Sequence, residues 1–313
     1  MKSQSSNKEL GVKDRIREIG WLFRKYMKRS RQNDASVLFG RYVDDVVEYS
    51  DLYTQYCGKD LTDARIVEIG FGTRPLRLAT LLAQGYDVSG IDMDCPLLHL
   101  TPSNLMDIVR ANGVERAVKS LVRFMMSDRK EWNNFCAHYG VNIRQEIVRR
   151  NVLHVDNASS PRFWEKMRPV DLLISEDVFE HIDVPDLESI VAEMARCLSP
   201  GGLALIRPNI FTGITGGHRM EWNMDMVDLD IRRATRPWEH LRGNKAPVGT
   251  VLNGLTRAQY RVLFREHFKI LEERVRYPEL GRKWLTGDTL EDLGSWPEEE
   301  LFSNNVLFVL QPL

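Results

Sequence analysis

The stretch VEIGFGTRPL, from Val67 to Leu76, decides the fold of this chain. An apolar strand runs into a turn with two glycines, and Pro75 suits the first turn of a following helix. An acidic residue, Asp92, ends the next hydrophobic run. The glycines let the backbone approach a ligand, and an acid roughly 20 residues further on can accept hydrogen bonds from ribose hydroxyls. This layout predicts a site for a nucleotide-type cofactor.

The composition is that of a globular chain: 313 residues, 43% hydrophobic and 28% charged. No apolar run approaches the length of a membrane span, and the first residues, MKSQSSNKEL, lack the apolar core of a signal peptide. Its cysteines form neither a CxxC pair nor a zinc spacing, which predicts reduced thiols in a cytoplasmic protein. They are Cys57, Cys95, Cys136 and Cys197.

The net charge of −1 is unevenly distributed. Residues 1–34 carry ten Lys/Arg against four Asp/Glu, and residues 103–150 carry nine against five. Basic segments in an otherwise acidic chain favour an anionic partner. Solvated helix faces are the simpler explanation, because runs of charge alone specify little.

Strands and helices alternate along the chain. Continuous apolar strands between helices predict an α/β fold: a Rossmann-like, doubly wound parallel sheet of seven strands, buried under helices on both faces. The predicted strands are 65–69, 86–91, 151–155, 170–175, 203–207, 269–275 and 305–310, and the main helices are 75–84, 184–198 and 256–267.

Two domains are expected, a helical N-terminal cap at 1–59 and a sheet domain at 60–313. The cap contains an apolar stripe at helical spacing, from Val12 to Met27, and a second helical stretch at 36–56. Two insertions interrupt the sheet domain: 97–150, with two or three helices, and 210–254, with an irregular pattern. Connections this long at the carboxyl ends of strands are often lids or substrate loops.

Two further segments carry a family resemblance. VDLLISEDVFEHI, from Val170 to Ile182, is followed by MARCLSPGGLALIRPN, from Met194 to Asn209. With the glycine turn, these motifs resemble class I S-adenosylmethionine-dependent methyltransferases, above all the ubiquinone/menaquinone type and the glycan and natural-product enzymes similar to them. The resemblance covers residues 60–210 well, although Arg74 stands where the family has its last glycine.

The resemblance implies a set of cofactor-binding residues, all at or just after the ends of predicted strands. It assigns Glu68, Gly70 and Gly72 to the methionine part, Asp92 to the ribose hydroxyls, Asp156 and Asn157 to the adenine, Ser175 and Glu176 to the flank of the site, and Phe71 and Met93 to its remaining lining.

A second motif, D-x-x-E-H, suggests a metal site. It resembles the small-RNA 3′-terminal 2′-O-methyltransferases and some ubiquinone-pathway O-methyltransferases, in which an acidic-EH cluster and a later histidine hold a divalent ion. Helical spacing would place its acids and histidine on one face. Carboxylates and imidazoles suit Mg, Mn, Fe or Zn, and such an ion lowers the pKa of neighbouring hydroxyls. The implied ligands are Asp177, Glu180, His181 and His218, the last in GGHRMEW.

Without a metal, His218 or His181 is a candidate general base, because the usual histidine pKa of about 6.5 suits removal of a hydroxyl proton. Glu180 is the third candidate catalytic residue.

The predicted function is methyl transfer from S-adenosylmethionine to a small or carbohydrate-like hydroxyl compound, assisted by a base or a metal. Four aromatic residues are candidates for the acceptor pocket or for the core: Trp222, Trp238, Tyr277 and Trp284.

Two other functions stay open. An RNA 2′-O-methyltransferase would use the basic segments and GGHRMEW, and its affinity for RNA would depend on salt. A non-catalytic cofactor-binding protein would explain the departure from the family pattern at Arg74. The sequence sets neither the acceptor nor the oligomeric state.

Overall fold

The computed structural model describes Gly20, residues 34–242 and residues 251–313. The predicted apolar stripe from Val12 to Met27 lies outside these residues. In the part of the chain described, no helix is both long enough and apolar enough to cross a membrane.

The predicted alternation of strands and helices is confirmed, with end points that shift by a few residues. The strands are β1 Arg65–Ile69, β2 Asp87–Asp92, β3 Leu153–Val155, β4 Val170–Glu176, β5 Leu198–Arg207, β6 Phe268–Val275 and β7 Val306–Pro312. The helices are α1 Ala35–Cys57, α2 Leu76–Ala83, α3 Pro102–Arg123, α4 Arg129–Tyr139, α5 Ile143–Arg150, α6 Pro161–Met167, α7 Val184–Cys197, α8 Arg257–Arg265, α9 Asp288–Leu293 and α10 Glu298–Leu301.

The seven strands form one sheet in the order β3-β2-β1-β4-β5-β7-β6. β1 is parallel to β2 and to β4, with Val67 opposite Ser89 on one side and Leu173 on the other. The sheet is mixed, because the bridge between Asn209, just after β5, and Asn305, just before β7, is antiparallel. The predicted Rossmann-like, doubly wound sheet of seven strands is confirmed, except that it is mixed and not parallel throughout. An apolar run indicates burial on both faces but not strand direction.

The chain divides into two compact units. Among the described residues, the N-terminal unit contains 34–176, Ala192–Leu205 and Gln311–Leu313, and the C-terminal unit contains Asp177–Val191 and Ile206–Leu310. The predicted domain boundary near residue 60 stays a prediction. In the N-terminal unit, the insertion at 97–150 forms three helices, α3 to α5, as expected.

The insertion at 210–254 has no strand or α-helix among the residues described within it. Its loops are held by Arg233, whose Nη2 donates to the carbonyls of Met226, Val227 and Leu229 at 2.7, 3.1 and 2.9 Å. Trp222 and Trp238 are 3% and 0% exposed, in one apolar cluster of the C-terminal unit. Both of these tryptophans therefore belong to the core.

Candidate functional site

The glycine turn after β1 is built by backbone conformations that side chains rarely adopt. Gly70 and Gly72 have φ angles of 82° and 66°. The N–H of Gly70 donates to the carbonyl of Ile91 at 2.8 Å, and the N–H of Gly72 donates to Oδ2 of Asp92 at 2.6 Å. The predicted pair of glycine turn and acid is therefore in direct contact.

Asp92 is the acceptor that organises this edge of the sheet. Its second oxygen, Oδ1, accepts the N–H of Asp94 at 2.7 Å. Burial raises the pKa of Asp92, and the two backbone donors oppose that rise. Each carboxylate oxygen keeps a further lone pair, so the group can still accept hydroxyl donors.

Gly90, in the middle of β2, is a packing position next to the site that the sequence reasoning missed. A Cβ at this residue would lie 2.7 Å from Cδ1 of Leu78 and 2.9 Å from Cδ1 of Phe71. The ring of Phe71, 5% exposed, is therefore seated directly on the glycine. An isolated glycine within a strand pattern is the signal for such a close approach.

A buried ion network lies beneath the turn. Arg77, from α2, donates through Nη1 to Oε1 of Glu68 at 3.1 Å, and through Nε and Nη2 to Oδ2 of Asp45 at 3.3 and 3.2 Å. The pKa of Glu68 is raised to about 7, because burial outweighs the attraction of Arg77. Oε2 of Glu68 has no hydrogen-bond partner among the described residues, so this oxygen is available to a ligand.

α1 also fixes the end of β4. The hydroxyl of Tyr49 donates to Oε1 of Glu176 at 2.9 Å, and both residues are buried. Ser175 donates to the carbonyl of Ile69 at 2.9 Å and so joins the ends of β4 and β1. Sequence reasoning missed the contribution of α1. Asp45 and Tyr49, four residues apart on a helix face, were its only sequence signal.

Arg74, which replaces the family's last glycine, has a partner in the same unit. Its Nη1 lies 3.1 Å from Oε2 of Glu131 and 3.9 Å from Oδ1 of Asp128, and both of these acids are buried. Arg74 thus ties the glycine turn to α4 and the segment before it, a connection that glycine could not make.

The remaining predicted cofactor residues lie at strand ends, where Met93 and Asp156 are exposed and Asn157 is half-buried. Met93 follows β2 and is 65% exposed. Asp156 and Asn157 follow β3; the N–H of Asp156 donates to the carbonyl of Asp92 at 3.0 Å, and Oδ1 of Asp156 accepts the N–H of Asn157 at 2.8 Å. The geometry brings Asp156 next to the β2 end and leaves its side chain near solvent.

In the C-terminal unit, one carboxylate and two imidazoles come together. Ligand atoms of Glu180, His181 and His218 all lie within 4.8 Å of one another. Oε1 of Glu180 is 3.9 Å from Nε2 of His181 and 3.8 Å from Nε2 of His218. The sequence prediction that residues 37 positions apart converge is met by this geometry.

The protonation of the two imidazoles follows from their surroundings. Nδ1 of His181 lies 3.0 Å from the carbonyl of Val251, which can only accept, so Nδ1 is the donor of that bond and Nε2 is the ring atom near Glu180. The pKa of His218 is lowered to about 4, first by burial and then by His181 and His240. Nε2 of His218 has no hydrogen-bond partner among the described residues. The Nε2 atoms of both rings thus lie on the side of Glu180.

Asp177 does not join this group. Its φ of 56° is left-handed, and the helical turn that follows spans only Phe179–His181. Its Oδ1 accepts the amide of Asn305 at 2.9 Å. The expected helical spacing from Asp177 to Glu180 and His181 is therefore wrong, because the left-handed residue turns the chain before the helical turn begins.

Asn253 is a further residue that the sequence did not reveal. Its N–H donates to the carbonyl of Glu180 at 2.9 Å, and its Nδ2 donates to the carbonyls of Phe179 and Ile182 at 2.8 and 3.0 Å. One side chain therefore holds both ends of the turn that presents Glu180 and His181.

Comparison with known proteins agrees with this architecture. A family model described as a methyltransferase domain matches residues 39–267. No curated protein sequence is similar enough to count as a relative.

Solved structures give remote likenesses. The PH0226 protein of Pyrococcus horikoshii is 12% identical, with a TM-score of 0.45 over 94% of this chain and 99% of that one. An S-adenosylmethionine-dependent methyltransferase of Clostridium acetobutylicum is 9% identical, with a TM-score of 0.44 over 95% and 98%. The N-methyltransferase NodS of Bradyrhizobium japonicum, solved with S-adenosylhomocysteine, is 11% identical, with a TM-score of 0.41 over 93% and 97%.

The assignment rests on the family match, which spans most of the chain and includes the glycine turn, the acid of β2 and both histidines of the C-terminal group. It confirms the predicted enzyme class and supports S-adenosylmethionine as the methyl donor. The chain belongs to this family of methyltransferase domains.

Proposed function

We propose that this enzyme transfers the methyl group of S-adenosylmethionine to an oxygen of a small or carbohydrate-like hydroxyl compound. The group formed by Glu180, His181 and His218 carries the proposal. A hydroxyl must lose its proton to become a good nucleophile, and a carboxylate with two imidazoles is suited to that task. The ubiquinone/menaquinone and glycan subtype stays a prediction.

On the donor side, the N-terminal unit offers groups that fit the cofactor. When bound, S-adenosylmethionine supplies an electrophilic methyl group on its sulfonium. Oε2 of Glu68, buried and without a hydrogen-bond partner in the described chain, fits the ammonium of the methionine part. The carboxylate of Asp92 fits the ribose hydroxyls. The turn at Gly70 and Gly72 keeps the backbone clear for close approach.

The other predicted cofactor contacts keep their proposed roles, and a separate observation supports each of them. Glu176 and Ser175 end β4, where Tyr49 and the carbonyl of Ile69 hold them in place. Phe71 lines the turn, and its ring packs on Gly90 of β2. For the adenine, the support is the position of Asp156 and Asn157 at the end of β3, and Met93 offers an exposed apolar surface after β2.

On the acceptor side, His218 is the proposed general base. Its lowered pKa keeps the ring neutral at neutral pH, so Nε2 can accept the proton of a hydroxyl. Glu180 then stabilises the resulting imidazolium from 3.8 Å. His181 orients an acceptor through its own lone pair on Nε2. In-line alignment of the nucleophile with the methyl group adds up to roughly 7–11 kcal/mol of rate acceleration.

The same three side chains fit a divalent cation such as Mg, Mn, Fe or Zn, since one carboxylate oxygen and two imidazole lone pairs converge within 4.8 Å. When bound, such an ion lowers the pKa of two neighbouring hydroxyls. Glu180, His181 and His218 would hold it, and Asp177 would remain with Asn305.

The test measures formation of S-adenosylhomocysteine with catechols, sugar diols and short RNA as acceptors. Glu180→Gln and His218→Asn should lower turnover by about 10²-fold or more while leaving the Kd for S-adenosylmethionine unchanged. His267→Asn, a histidine outside the group, is the matched control. Loss of activity on chelation, with recovery on adding Mg or Mn, selects the metal route over the base.

Three results would refute the proposal. Full activity in both variants would remove the group from the chemistry. Binding of S-adenosylmethionine with no turnover of any acceptor would favour the non-catalytic alternative, and turnover of RNA alone would favour the RNA enzyme.

A further inference from the structure

Arg219 follows His218 directly in GGHRMEW and is not accounted for by the proposed chemistry. The side chain is half-buried, and its Nε is shielded from solvent with no hydrogen-bond partner. Within residues 34–242 and 251–313, its guanidinium makes no ion pair with any carboxylate. A shielded N–H donor without a partner is unfavourable unless a ligand or solvent satisfies it.

Neighbouring arginines of the same insertion show the ordinary arrangement. Arg233 is bonded to several carbonyls, as described above. Arg242, whose side chain is 5% exposed, lies 3.0 Å from Oδ2 of Asp292 and 3.9 Å from Oε2 of Glu239. Nε and Nη1 of Arg242 also lack a hydrogen bond in the described chain, but these two acids lie beside them. Arg219 differs because no carboxylate of the described chain forms an ion pair with it.

The charge of Arg219 is felt inside the histidine group. Burial is the main cause of the lowered pKa values of His240 and His218; Arg219 adds to the first shift and His240 to the second. The ring of His240 packs on Gly217, the residue before His218, where an added Cβ would lie 2.6 Å from Nδ1 of His240. The guanidinium therefore belongs to the surroundings in which the acceptor hydroxyl would be deprotonated.

We propose that Arg219 is an anion subsite of the acceptor site, so that the natural acceptor carries a carboxylate or phosphate besides the hydroxyl that is methylated. This inference rests on the proposed methyl transfer at His218. A planar guanidinium binds either anion through two parallel charge-assisted hydrogen bonds, which orients as well as attracts the ligand. A neutral acceptor could accept one N–H of Arg219 but could not balance its charge.

The first test measures anion binding without any assumption about the acceptor. Benzoate and inorganic phosphate are titrated by calorimetry into the native protein, into Arg219→Gln and into Arg232→Gln, whose arginine is exposed. The native protein should bind at least one of these anions. Comparing the two titrations shows whether the subsite prefers a carboxylate or a phosphate. Arg219→Gln should weaken binding by about tenfold to a hundredfold, and Arg232→Gln should not.

The second test compares a matched pair of diols as methyl acceptors, 3,4-dihydroxybenzoate and 3,4-dihydroxybenzamide. The native enzyme should have the lower KM for the carboxylate. Arg219→Gln should remove that preference by raising the KM for the carboxylate and not the KM for the amide, and Arg219→Lys should restore part of it.

The outcomes separate the two proposals. If the native protein binds neither anion, or if Arg219→Gln binds as tightly as the native protein, the anion subsite is wrong. If Arg219→Gln abolishes anion binding but neither diol is methylated, the subsite stands and the proposed acceptor chemistry is wrong.

Discussion

The carboxylate of Asp92 accepts the backbone N–H of Gly72 at 2.6 Å, so the acid at the end of β2 holds the glycine turn that follows β1. The same side chain therefore has two tasks, since the proposed role is to accept ribose hydroxyls as well. A carboxylate has about four acceptor positions, enough for both. The spacing of about 20 residues between glycine turn and acid has a structural cause in addition to the ligand.

Replacing this carboxylate should affect cofactor binding more than folding. Asp92→Asn keeps one acceptor oxygen for the turn and loses the charge-assisted bonds to the ribose. We expect the Kd for S-adenosylmethionine to rise by about tenfold or more and Tm to fall by only a few degrees. Calorimetric titration measures the Kd. Asp94→Asn, a neighbour that pairs with Arg116, is the control and should bind normally; unchanged affinity in Asp92→Asn would refute the assignment.

Gly90 should tolerate no side chain. In Gly90→Ala the new Cβ would lie 2.7 Å from Leu78 and 2.9 Å from Phe71, and overpacking of this kind lowers the free energy of unfolding by about 1–3 kcal/mol. Displacement of Phe71 should also weaken cofactor binding. Urea unfolding measures the first effect. Gly40→Ala, in α1 with no atom within 4 Å of its Cβ, should be neutral or stabilising; similar losses in both variants would contradict the packing argument.

Glu68 should make the protein less stable as the pH rises. Its pKa is about 7 in the folded chain and 4.5 ordinarily, so the folded state binds the proton more tightly. The contribution is complete below about pH 4.5 and is lost as the pH rises through about 7, a change of about 3 kcal/mol. Glu68→Gln should remove this slope between pH 5 and 8 in urea unfolding. Glu266→Gln, at an exposed glutamate, should keep the native slope.

The sequence predicts those features that depend on local pattern. Apolar runs predicted all seven strands, and the capping box of Thr256 and Gln259 starts α8 where expected. Features that depend on distant residues escaped prediction. The Arg77 network needs Asp45, 32 residues earlier. No periodicity in the sequence indicates that these two residues are in contact. The expected helical position of Asp177 beside Glu180 and His181 is wrong for a local reason. An acid-rich motif does not indicate that a residue other than glycine adopts a left-handed backbone conformation.

The insertion at 210–254 should depend on Arg233, although it contains no regular secondary structure. The guanidinium lies 4.5 and 4.6 Å from the rings of Trp222 and Trp284. It donates to the carbonyls of Glu221, Met226, Val227, Leu229 and Ile231. In Arg233→Lys a single ammonium cannot reach these acceptors together, so shielded carbonyls lose their donors. We expect a loss of about 1–3 kcal/mol and faster hydrogen exchange around Met226 to Leu229. Arg232→Lys, at the exposed neighbour, should stay within about 0.5 kcal/mol of the native protein. Unchanged exchange in Arg233→Lys would mean that the apolar cluster alone holds the loops.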